Sequence, residues 1–334
     1  MYGQYLTCYS LALGMLVTVV GLVGCSQPKD AATQSAAGDR ANDSGVQEPA
    51  GKVLNVKSSR PLCEVPFILT EANNISVAAT LNKADEVNLM FHTANSGVVL
   101  TEEASQKASS IKFDKLADMK SWGGSSRGRI SDNNALAIGP MSWVKLRIFQ
   151  DRLSGTGTDG KFGPDLFKDQ IIEIDFDSRK LRVFNELPQK VTGLQKLKVH
   201  KENGMMFLTG IVKVGDATLE NKFLVHSGFG GGVLLDDAFV QANRIGQLKT
   251  ISESELRDSG GNVLKTKKVE LPAFKLGGFE FAKVPAQIFD GSIRKQKMSI
   301  IGGDLLKRFN LIVDQQEGVI YVEKNNLFDA EFKK

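Results

Sequence analysis

The chain of 334 residues contains three histidines, and two of them open short triplets of similar make-up. His92-Thr93-Ala94 follows the apolar run Leu89-Met90-Phe91, and His226-Ser227-Gly228 follows Phe223-Leu224-Val225. A neutral imidazole has one donor and one acceptor nitrogen, so two of them brought together could hold a water, serve as bases, or ligate a divalent metal such as Zn²⁺. Two imidazoles held close would also resist double protonation, so that acid would push their supports apart or attract an anion. Asp85, Glu102, Asp236 and Asp237 could complete a metal site only if the fold carried one of them to the pair, and their spacing singles out none. The third histidine, His200, lies in a Lys-rich stretch and is expected on the surface.

The elements that must position the pair are duplicated. Phe162-Gly163-Pro164-Asp165-Leu166-Phe167 through Asp175 aligns without a gap to Ile301-Gly302-Gly303-Asp304-Leu305-Leu306 through Asp314. Each copy runs on through a polar turn into an alternating strand, Leu181–Phe184 in one and Val319–Val322 in the other. Upstream, Leu89–Leu100 parallels Phe223–Leu235 and carries one histidine triplet in each copy. Short apolar segments bounded by turn residues (Val65–Leu69, Ile75–Leu81, Val87–Phe91, Ile171–Phe176) have strand length. Helices are expected only at Thr101–Ser109, Asp236–Ile245 and Asp304–Phe309, each of them short. The folded part is therefore expected to be mainly β, built from two related lobes.

The order in each half is an apolar strand, a histidine triplet, a Gly-rich loop, then an apolar residue and Gly before a short helix and strand. That order resembles the pepsin and retropepsin fold, and most of all the bacterial retropepsin-like aspartyl proteases, over roughly Pro61 to Glu323. The resemblance implies a bilobal double β-barrel with few short helices, an N-terminal lobe over 61–190 and a C-terminal lobe over 191–334. It also implies that both triplets face a shared cleft, with His92 and His226 at the positions of the family's catalytic aspartates. Thr93 and Ser227 would tie the two loops together, while Ala94 and Gly228 would be small to allow close backbone approach. Phe162-Gly163 and Ile301-Gly302 would pack behind the loops, Trp122-Gly123-Gly124 would form a flap over the cleft, and Ser259-Gly260-Gly261 would be its Gly-rich counterpart.

Aspartic proteolysis needs two carboxylates sharing one proton, and loss of one essential acid or base costs about a hundredfold to ten-thousandfold in rate. With both replaced, the expectation is a catalytically degenerate protein that binds a peptide or an envelope protein in its cleft and requires no cofactor. The alternative is a hydrolase or metal site using the histidine pair; a weaker alternative, an active aspartic endopeptidase, would need a different register of the motifs.

The N-terminal segment addresses location. Leu11–Gly24 is an apolar run too short for a comfortable membrane span, and Leu22-Val23-Gly24-Cys25 resembles the lipobox of bacterial lipoproteins. This implies a signal peptide over 1–24, lipidation at Cys25, and an anchor in the cell envelope, in the outer membrane facing the periplasm given Ser26. Residues 25–60 are small and polar and read as a flexible tether. Cys63 is then left without a partner, buried or capped. The net charge of +4, with no block of Lys or Arg, gives no support to nucleic-acid binding. Two lobes in one chain need no dimerisation, so a monomer is expected.

Overall fold

Period-two alternation sets the first element. In Cys63–Leu69, Cys63, Val65 and Phe67 turn inward while Glu64, Pro66 and Ile68 face out. The computed structural model describes residues 60–121, 124–289 and 296–333, so the signal segment, Cys25 and nearly all of the tether lie outside the described residues. Strands make up 54% and helices 10%, and the fold is the mainly β, double-barrel architecture expected.

In the first half, Ile75–Leu81, Asp85–Phe91, Gly160–Phe162, Val98–Thr101, Met141–Asp151 and Gly124–Ile138 follow one another around a sheet that closes on itself through Thr80–Ala137 and Leu81–Leu136 pairing. The second half repeats this with Met205–Val214, Ala217–Val225, Ser299–Ile301, Val233–Leu234, Phe279–Ile288 and Val263–Leu276. Its closure runs from Gly210–Leu276 to Lys213–Ala273. Closure removes the unpaired edges that an open sheet would present. The first barrel also carries a further hairpin strand, Lys115–Ser121, and the second carries two, Thr250–Arg257 and the short His200–Glu202.

A six-stranded antiparallel sheet joins the barrels in the order Gln195–Lys198, Val319–Lys324, Phe309–Asp314, Ile171–Asp175, Lys180–Phe184, Cys63–Leu69. At its centre the two copies of the sequence repeat pair with each other: Ile172 faces Val313 and Ile174 faces Leu311, so the copies exchange roles. Glu173, opposite Ile312, is buried between them and held by Arg182 at 2.8 Å and by Lys190. All of this lies in one compact unit, Leu54–Lys334.

The helices are shorter than the sequence suggests. Glu102–Lys107 starts where the Thr101 hydroxyl accepts from Ala104 N–H, and Asp237–Ala242 where the Asp236 carboxylate accepts from Phe239 N–H. Gly303–Leu306 stops before Phe309, which opens the next strand because Phe309, Leu311 and Val313 are buried in the central sheet.

Candidate functional site

Each histidine follows the end of a strand held in a parallel pair. His92 N–H donates to Phe162 O and His226 N–H to Ile301 O, both at 3.0 Å. A turn then closes after each, with Asn95 N–H on His92 O and Phe229 N–H on His226 O. The next residues bind the lobes together. Thr93 N–H donates to Ser227 Oγ and Ser227 N–H to Thr93 Oγ1, both at 3.0 Å. The two hydroxyls then donate across the junction, Thr93 to Val225 O and Ser227 to Phe91 O, both at 2.7 Å. Both side chains are buried, so these four bonds form where water does not compete. They draw the imidazoles together, with ring centroids 4.5 Å apart and planes inclined at 59°. The rings are half-buried, and the small cavity of about 20 Å³ beneath the loops is lined by apolar groups and is too small for a ligand.

The pair is not symmetric. Ala94 N–H donates to His92 Nδ1 at 3.2 Å, which makes Nδ1 an acceptor and puts the proton of the neutral ring on Nε2. His226 Nδ1, by contrast, is buried and has no hydrogen-bond partner among the described residues. Gly228 is small for a definite reason: a Cβ there would collide with Cδ2 and Nε2 of His92. Burial holds the His92 imidazole well below its ordinary pKa, helped by the neighbouring His226 ring and by the charge of Lys161. Burial likewise pushes His226 down to about 4, again with a contribution from Lys161. At neutral pH the site is therefore two uncharged imidazoles.

The other residues singled out in the sequence fall as follows. Trp122 and Gly123 lie outside the described residues, and Gly124 begins the strand Gly124–Ile138. Ser259-Gly260-Gly261 forms the tip of the second lobe's hairpin, where Ser259 O accepts from Leu153 N–H of the first lobe at 3.0 Å. Asp85 is occupied with the backbone and hydroxyls of Ser109 and Ser110. Asp236 is engaged by Asn221, Ser299 and Phe239, while Glu102 and Asp237 sit in the first turns of their helices. Among the described residues no third His, Cys, Asp or Glu joins the imidazole pair in a metal-sized group. His200, expected on the surface, is partly exposed, with Nε2 3.2 Å from Thr209 Oγ1. Cys63 is a buried free thiol whose pKa is raised by burial.

One charged pair beside the site has no place in the motif reading. Lys161, in the short strand beside Asp85–Phe91, makes a 2.6 Å ion pair with Asp151, and both side chains are largely buried. The signal that could have found it is in the repeat: the residue before Phe162-Gly163 is Lys161, whereas the residue before Ile301-Gly302 is Ile300.

The fold is similar to that of the aspartic proteinase from Irpex lacteus, with a TM-score of 0.55 and 12% identity over 81% of this chain and 99% of that one. At that identity the likeness establishes a pepsin-like fold and nothing finer. No family model matches the chain, and no curated protein is similar to it in sequence.

Proposed function

We propose that the protein binds an extended peptide or a segment of an envelope protein between its lobes and does not cleave it by aspartic-protease chemistry. The observation that carries this reading is a close pair of imidazoles on otherwise complete supporting loops. On this reading His92 and His226 stand where a pepsin-like enzyme has its two acids, and neither can serve as the shared-proton carboxylate that activates water. The hydroxyl network of Thr93 and Ser227 is intact, so the scaffold keeps its grip without the reacting groups. His92 offers a fixed Nε2–H, a donor suited to a peptide carbonyl. The closed barrels leave two hairpins, ending at Lys115–Ser121 and Thr250–Arg257, whose outer strands end the two sheets and can pair with an added strand. The lipobox-like Cys25 and the polar segment after it support a binder tethered in the cell envelope, and two lobes in one chain support a monomer.

A zinc ion held by the same pair is less well supported. The Ala94 N–H bond leaves the proton on the other nitrogen of His92, which a metal would have to displace, and the carboxylates suggested by the sequence are engaged elsewhere. The test is a panel of extended peptides incubated with the protein from acidic to neutral pH, with binding and cleavage both measured. Binding without cleavage is the expected result, and zinc-independent cleavage would sink the proposal. The double variant H92D/H226D puts two carboxylates on the intact loops and is expected to gain cleavage at acidic pH toward the peptides that bind the parent protein.

A further inference from the structure

The strand that ends at each histidine forms part of a three-residue row that faces away from its barrel core. In the second lobe the row is Leu224, Ile300 and Leu234, paired side by side. It is wholly apolar and joins a small core with Phe207 and Phe289, against which Ala94, Phe229, Leu256 and Leu264 pack. Ala94 and Phe229 belong to the two histidine loops, so this row lies beside the imidazole pair. In the first lobe the equivalent row is Met90, Lys161 and Val99. The neighbours of Lys161 along its strand point the other way: Phe162 packs on Phe91 and Phe167 inside the barrel. Lys161 is thus the counterpart of Ile300, and its charge reaches both imidazoles.

Of the ion pair, Asp151 is the deeper member, with its side chain 4% exposed against 11% for Lys161. The ammonium is therefore the less covered member of a largely buried pair, one residue before Phe162, whose carbonyl accepts from His92 N–H. Lysine has three donor directions and Asp151 takes one of them at 2.6 Å. We propose that Lys161 sets the specificity of the cleft: the first lobe accepts an acidic side chain of the bound peptide beside the imidazole pair. This rests on the peptide-binding reading above. The neutral rings do not compete for the carboxylate as a second cation would, which leaves Lys161 as the charged group that selects it.

The experiment uses fluorescein-labelled decapeptides differing at single positions by Glu, Gln, Lys or Leu, with affinity read by fluorescence anisotropy. The parent protein is expected to prefer Glu over Gln by about tenfold or more at one position. The comparison variant is K161M/D151N, which removes both charges so that no carboxylate is left buried alone. It should lose the Glu preference, so that the Glu and Gln peptides bind alike, and K161R should keep the preference. Thermal melts confirm that each variant folds. Peptides that bind with no acidic preference, or a preference surviving in K161M/D151N, would overturn the assignment of Lys161 and leave the cleft reading standing. Preference for Lys would also overturn it, making Asp151 the recognising group. Failure of every peptide to bind would overturn the cleft reading and this inference with it.

Discussion

The two lobes share a backbone plan and differ in what they bury. After Phe162-Gly163 the first lobe has a 3₁₀ turn, Pro164–Phe167, and its Asp165, Lys168 and Asp169 are exposed. Asp165 accepts from Gly97 N–H, steadying the loop after His92. At the matching positions of the second lobe Asp304, Lys307 and Arg308 are all buried. Arg308 donates to the carbonyls of Phe328 and Ala330, lies 3.6 Å from the Phe332 ring centre, and so fastens the C-terminal segment onto the helix behind His226. Lys307 pairs with Asp304 at 2.7 Å and also reaches Asn73 of the first lobe. The same duplicated frame thus carries a solvated surface turn in one lobe and a buried ionic anchor in the other. Topology does not dictate which polar groups go inside.

The sharpest way to break this comparison is at the anchor. R308M removes the guanidinium that holds the tail carbonyls and is expected to cost about 3 kcal/mol, because the buried carbonyls of Phe328 and Ala330 lose their donor while Asp304 keeps Lys307. Replacing its exposed counterpart, D169A, should change stability by less than about 0.5 kcal/mol. Urea denaturation of both variants checks the contrast.

The hydroxyl crossing comes next. S227A leaves Phe91 O and Thr93 N–H without their partner inside the junction and is expected to cost about 3 kcal/mol in the same measurement. The residues beside the histidines should respond unequally. G228A drives a methyl group into the His92 ring and should cost about 2 kcal/mol, moving the imidazole signals in NMR spectra, whereas A94G should cost less than about 1 kcal/mol.

Acid gives a smaller test of the same asymmetry. The folded-state pKa of His226 is depressed to about 4, so between the unfolded value near 6.5 and pH 4 the unfolded chain binds more protons than the folded one. Stability should be full above pH 6.5 and fall as pH drops through that window. For His226 the loss is roughly 2 kcal/mol once the partial exposure of the ring is allowed for. The His226 part of the slope should end near pH 4 and be missing in H226Q, while the part due to His92 persists, as measured by melting temperature against pH.

Much of the frame was legible in the chain. The ungapped repeat from Phe162 and from Ile301 gives the two halves, and in the structure its copies pair with each other across the central sheet. Ile75–Leu81 is a strand with the bounds its apolar run suggests. The joining of His92 to His226 was also readable, because two triplets on equivalent strands meet once the lobes dock. The helix ends were less so: Phe309 looks as much like a helix residue as a strand residue until its burial in the central sheet decides. Lys161 was passed over because a lone Lys between Gly160 and Phe162 looks like any solvated side chain, and its partner Asp151 is only brought opposite by the strands that flank Val98–Thr101.

By itself, the order of residues determined the period of the strands, the duplication, and the placing of an imidazole at the same point of each copy, since these depend on side-chain type and local spacing. Tertiary structure alone decided that Ala94 N–H fixes one ring while His226 Nδ1 has no partner among the described residues, and that one lobe buries the charged Lys161 where the other buries Ile300. Such differences are set by which atoms remain within hydrogen-bonding reach after two lobes close on each other. Distances of that kind belong to the packing and leave no period in the sequence.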